Sequence, residues 1–113
     1  MELLTLEDLN KLQMQDMYHP SGPHRELPPE ELMVIVKFFT PDSSWTWYAC
    51  SAFRDKEDGD VQFFGLVDGL EAELGYFWLS ELTGVRGPLG LPIERDLYWQ
   101  PKPLSEVMKE VRV

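Results

Sequence analysis

The sequence predicts an α+β fold: an antiparallel β-meander of about four strands, flanked by short helices at the two ends of the chain. Three observations carry this. Near the N-terminus Leu6, Leu9 and Leu12 recur every three residues, the period of one helix face. Between residues 32 and 79 runs of β-branched and aromatic residues alternate with short turn signals, so consecutive strands pair as neighbours. A proline-led helical stretch then closes the chain. At 113 residues a single domain, 1–113, is expected, and folding should bury about 65% of the unfolded surface.

Each element has its own signal. Thr5 followed by Asp8 forms an S/T-x-x-D/E start, with Glu7 and Asp8 in the first turn; a helix over about residues 5–17 follows, Met17 continuing its apolar face. Residues 18–31 hold Pro20, Pro23, Pro28 and Pro29, which remove backbone donors and forbid a continuous helix, so this is a proline-rich loop. Leu32–Thr40 is apolar on both faces apart from Lys37, as in a strand covered on each side. After the Pro41–Ser43 connection, Trp45–Arg54 is a second strand, with Trp45, Trp47 and Phe53 on one face and Thr46, Tyr48 and Cys50 on the other. Asp55–Asp60 is a charged turn whose Asp58-Gly59 pair signals a hairpin. Val61–Asp68 returns, with Gly65 marking a bulge or a close approach. Leu74–Leu79 is the fourth strand, and Ser80–Leu82 forms one helical turn ended by Gly84. Arg86–Asp96 is too rich in Gly and Pro for a regular element, Leu97–Trp99 suits a short edge strand, and Ser105–Val111 a helix entered through Pro101 and Pro103.

Composition excludes several function classes. Twenty Asp and Glu against ten Lys and Arg leave a formal charge of −10, which opposes direct binding to duplex DNA or an anionic membrane. The lone Cys50 cannot form an intramolecular disulfide. No basic leader precedes an apolar run, and the longest apolar stretch, Leu32–Val36, is far short of the ~20 residues of a membrane span. A cytoplasmic location is the expectation.

The segments FFTPDSSWTWY (38–48), FFGLVDG (63–69), ELGYFWLSEL (73–82) and RGPLGLPIERDLYWQPKPLSEV (86–107) resemble the bacterial Domain of Unknown Function 2958 family, over nearly the whole chain. The RGPLGLPIERDL block is the most specific part. The resemblance implies a small bacterial protein of a plasmid, phage or other mobile element, and brings no activity, cofactor or catalytic residue with it. Such proteins often carry an acidic residue near the end of the second strand; this chain has Ser51-Ala52-Phe53 there.

Motifs for chemistry are few. Asp55–Asp60 looks like a calcium loop, but counting from Asp55 places Asp60 and Leu66 where an EF-hand needs Gly and Glu, so a solvated turn is the better reading and no metal is expected. His19, His24 and Cys50 share no zinc spacing. Cys50, mid-strand, reads as a buried thiol, and Ser80 lacks the glycines of a nucleophile elbow. Gly84, Gly87 and Gly90 beside Arg86 could offer N–H groups to an anion, although Pro88 and Pro92 spoil the helix that a phosphate loop opens. No cofactor is implied.

Two acid pairs stand out. Glu71 and Glu73, and again Glu94 and Asp96, are spaced by two and so project from one side of an extended chain, with Arg86 and Arg95 as counter-charges. They suit general acid–base work or a ligand site, but more often pin a loop by ion pairs. The aromatic residues, Trp45 and Trp47 among them, lack the basic groove of a single-strand binder and suit a core with a protein-binding face. The leading expectation is therefore a non-catalytic interaction protein with a protein partner, whose acids in a sharper version imitate DNA phosphates from one face. The alternative is a small enzyme or ligand-binding domain, with Glu71 or Glu73 beside Arg86, Glu94 or Arg95 in a pocket where residues 69–76 meet 86–96.

Overall fold

The computed structural model describes residues 2–16 and 28–112. Met17, His19, His24 and most of the proline-rich stretch lie outside the described residues; of that stretch, Pro29–Glu31 forms a 3₁₀ turn. Helix α1 spans Leu6–Asp16. Its start is a reciprocal cap: the Asp8 N–H donates to Thr5 Oγ1 at 3.1 Å, and the Thr5 N–H to Asp8 Oδ2 at 3.3 Å. Leu9 and Leu12 are buried, whereas Leu6 lies outside the contact face at 71% exposure.

The predicted first strand is two strands. β1 is Met33–Val34 and β2 is Val36–Phe39, with a break at Ile35. The reason is a bulge in β3 (Thr46–Arg54), where the register against β4 (Val61–Asp68) shifts between Ala49 and Ser51. Gln15, from the last turn of α1, fills the gap. Its amide donates to the Met33 carbonyl at 2.7 Å and the Cys50 carbonyl at 2.6 Å, and accepts the Met33 N–H at 2.9 Å. A side-chain amide thus replaces a missing ladder partner. The bulge also flips side-chain parity: Ala52 joins Trp47 in one core, and Phe53, paired with Gln62, lies on the Tyr48 side. The expected grouping of Phe53 with Trp45 and Trp47 is thereby corrected.

β3 and β4 form the expected hairpin, its turn holding Gly59 at φ +75°. β5 (Ala72–Trp78) pairs with β4 in unbroken antiparallel register. Gly65 is a close approach: a Cβ there would lie 1.8 Å from the Tyr48 carbonyl oxygen, a contact only glycine avoids. Helix α2 is Leu79–Gly84. Two further short strands follow, β6 (Glu94–Arg95) and β7 (Lys102–Pro103), then helix α3 (Leu104–Val111).

The main sheet has five antiparallel strands in the order β5-β4-β3-β2-β6, and β1 pairs with β7 in a separate ribbon. It is one strand larger than the sequence indicated, because the edge strand forms at Glu94–Arg95 while Leu97–Trp99 is a turn. Arg95 pairs opposite Phe38, and the Asp96 N–H reaches the Lys37 carbonyl at 2.9 Å. Each face has its own core. α1 lays Leu9 and Leu12 on Phe38, Trp47 and Phe63; α3 lays Leu104 and Val107 near Tyr48, Phe64 and Leu66. The β1–β7 ribbon carries the chain to that second face, with the Leu104 N–H on the Leu32 carbonyl at 2.8 Å. Among the described residues, no helix is long and apolar enough to cross a membrane.

Candidate functional site

The strand order decides which candidate residues can meet. Glu73 lies on β5 and Glu71 just before it, at one edge of the sheet; Glu94 and Arg95 form β6 at the other, with Asp96 immediately after. Four strand spacings, roughly 19 Å, separate the edges. Among the described residues, the cavities lined by Glu71 and Glu73 are separate from those lined by Arg86 and Glu94. Arg86 and Glu94 line a shallow cavity of about 440 Å³ with Leu82, Thr83 and Ile93. The Arg86 guanidinium donates to the carbonyls of Thr83 (3.0 Å) and Val85 (2.8 Å), closing the end of α2.

At the β6 edge Arg95 and Asp96 have internal partners, whereas Glu94 has no ion pair among the described residues. Arg95 pairs with Asp8 of the α1 cap, both side chains about 85% buried. Burial raises the Asp8 carboxyl, but hydrogen bonds from Arg95 and Thr5 and the Arg95 charge outweigh it, so its pKa lies below the ordinary value. Lys37 lies 3.9 Å from Asp96 and over the rings of Tyr48 and Trp99, the latter held by its indole N–H on the Val34 carbonyl at 2.9 Å.

Trp45 is the part of the constellation that does gather candidates. It stacks on Trp47 with ring centroids 5.9 Å apart, and lies so close to Gly69 that a Cβ there would meet the ring at 2.3 Å. On one side Trp45, Trp47, Arg86, Val85, Thr40 and Ser43 line a cavity of about 280 Å³. On another, Trp45, Val67 and Leu70 face Glu71 and Glu73 across a shallow cavity of about 380 Å³. Among the described residues, no cation stands within ion-pair distance of Glu71 or Glu73.

The glycine loop has an anion, supplied by the chain itself. Asp42, in the β2–β3 connection, accepts the N–H groups of Leu89 (2.7 Å) and Leu91 (3.4 Å) on its Oδ2. The loop curls to meet it through Gly90 N–H to Gly87 carbonyl at 2.9 Å, with Gly90 at φ +81°. A Cβ on Gly87 would fall 1.6 Å from Asp42 Oδ1, so only glycine allows this approach. Neither Asp42 nor Gln15 was legible as a linchpin. Asp42 reads only as a turn residue, and Gln15 as a helix surface.

The remaining reactive groups are structural. Burial pushes the Cys50 thiol up to about 12, so it stays protonated at neutral pH. Asp60 accepts the Ser80 hydroxyl at 2.6 Å and the Ser80 N–H at 3.1 Å, tying the hairpin turn to the start of α2, and the Ser80 side-chain hydrogen bond leads in lowering its pKa against the opposing effect of burial. Asp55 accepts the N–H of Glu57 at 2.8 Å. Among the described residues, no three His, Cys, Asp or Glu side chains gather as metal ligands.

These features define a small α+β domain with helices on both faces of a five-stranded antiparallel sheet and a Trp45-centred rim at one end. The chain belongs to the family described as a protein of unknown function (DUF2958), whose model matches residues 3–112. No curated protein and no solved structure matches the chain.

Proposed function

We propose that this protein is a non-catalytic interaction module that works by binding a protein partner, in the cytoplasm of a bacterium and in the service of a plasmid, phage or other mobile element. The mobile-element part rests on the resemblance in its sequence segments. The binding part rests on one observation: an apolar surface on the α3 side of the sheet that α3 does not cover. Phe53 on β3 and Leu74 and Tyr76 on β5 project from that face at 49%, 37% and 53% exposure. Grouped apolar residues on one face favour association, since removing them from water stabilises a complex. The reading does not extend to imitation of DNA, which calls for carboxylates in a row on one face; here they are spread over α1, the hairpin turn, both sheet edges and α3.

The test is capture from bacterial lysate by the tagged protein at low and high salt. A defined protein retained at low salt and weakened at high salt is expected, because a charge of −10 adds an electrostatic component. Retention of no protein at either salt would overturn the reading and favour a small ligand in the cavity between Trp45, Trp47 and Arg86.

A further inference from the structure

The sheet ends in two edges, and β5 leaves its outer one unpaired among the described residues. An unpaired edge presents a row of N–H and C=O groups that another chain can continue. Natural edges are commonly blunted by Lys, Pro, a bulge or a short strand. β5 has none of these: AELGYFW runs seven residues in unbroken register with β4, and Glu73 is its only charge. We propose that this edge receives an extended segment of a partner protein as an added strand, one in which basic and apolar side chains alternate. The inference rests on the interaction reading above, and adds where the partner sits and what it carries.

The alternation follows from the two faces of β5. Ala72, Leu74, Tyr76 and Trp78 project to one side, where Leu74 and Tyr76 are exposed and Ala72 packs against the α3-side core. Glu73 projects to the other, next to Glu71, against the wall formed by Trp45, Val67 and Leu70. An added strand shares these faces, so near the start of β5 its side chains meet the carboxylates of Glu71 and Glu73 on one face and apolar groups on the other. Trp45 and Val67 offer apolar surface in that cavity to the stem of a Lys or Arg, while the carboxylates take the charged head. Gly75, next after Glu73 on that face, leaves open space where a Cβ would stand. A second copy of the chain fits less well, because pairing would bring together two molecules of charge −10 and supply no cation to Glu71 or Glu73.

The test uses the full chain and a fluorescent seven-residue peptide alternating lysine and valine, with two controls: glutamate in place of lysine, and the same residues in lysine and valine blocks. The alternating peptide should bind about tenfold more tightly than the block peptide, and E71Q/E73Q should lose about tenfold in affinity, the scale of two partly exposed ion pairs. Backbone amides on the outer edge of β5 should exchange about tenfold more slowly in the complex, which surface adsorption of a cation would not produce. Equal binding of alternating and block peptides, no binding, or no added protection in β5 would overturn the proposal. So would a dimer of the protein alone with β5 amides protected, which would make a second copy the occupant. A lysate partner retained equally by wild type and E71K/E73K would sink this inference while leaving the interaction reading standing.

Discussion

The two edges of the sheet carry acid pairs that look alike in sequence, Glu71/Glu73 and Glu94/Asp96, and the fold treats them oppositely. At β6 Arg95 and Asp96 have partners, whereas Glu94 has no ion pair among the described residues. Arg95 is clasped to Asp8, Lys37 approaches Asp96, and the strand is only two residues long. At β5 the strand is seven residues long and its carboxylates face Trp45 with no cation among the described residues. The same i, i+2 spacing thus places one acid, Asp96, beside a counter-charge at one edge and, among the described residues, neither acid at the other. Spacing sets which side chains share a side; only the neighbouring strand sets whether a counter-charge is there to meet them.

The contrast can be broken by substitution. The largest effect is expected inside the sheet, on β4: Gly65→Ala forces a Cβ into the Tyr48 carbonyl and should cost about 3 kcal/mol or more in urea unfolding, or abolish folding. Next comes Arg95→Ala, which strands the Asp8 carboxylate in a mostly buried site and should cost about 2–4 kcal/mol, somewhat below the loss for a fully buried pair. Gln15→Ala leaves the Met33 and Cys50 backbone groups short of partners and should cost about 2 kcal/mol, with faster amide exchange at the bulge as its signature. Smallest is E71Q/E73Q, expected within about 0.5 kcal/mol of wild type, because among the described residues these side chains have no ion-pair partner to lose. A loss above about 1 kcal/mol there would mean the β5 carboxylates are structural after all.

Acid titration sharpens the same contrast. The folded pKa of Asp8 lies below its ordinary 3.8, so the carboxylate stabilises the fold above that value and the contribution is lost as pH falls through the depressed one. Asp60 acts with the same sign. Wild-type stability should therefore fall below about pH 4, and Asp8→Asn, less stable at neutral pH, should show a shallower fall.

Much of the architecture was legible because its signals are local. Thr5 and Asp8 cap α1 as their spacing indicates, Asp58-Gly59 turns the β3–β4 hairpin, and Ser80–Leu82 makes the helical turn that Gly84 ends. Other features depend on which elements meet. Phe53 changes sides because a bulge opposite Gly65 adds a residue to β3, and Leu32–Thr40 divides at the same bulge, where Gln15, more than a dozen residues upstream, fills the gap. The edge strand falls at Glu94–Arg95 instead of Leu97–Trp99 because Arg95 must stand opposite Phe38 and beside Asp8. Of the candidate residues, Trp45 meets Glu71 and Glu73 in one cavity, Trp47 and Arg86 in another and Asp96 in a third, while Glu94 and Arg95 belong to the far edge.

By itself the sequence determined the class of fold, the net charge, the turn and cap positions, and the family to which the chain belongs, since each resides in short-range pattern or composition. The tertiary structure alone decided which carboxylates are satisfied. Asp42 goes to the glycine loop and Asp8 to Arg95, both from distant parts of the chain, and Glu71 and Glu73 are left facing outward. The reason is physical: an ion pair or a backbone cap is a contact of a few ångströms, and strand order, not sequence distance, sets which groups come that close.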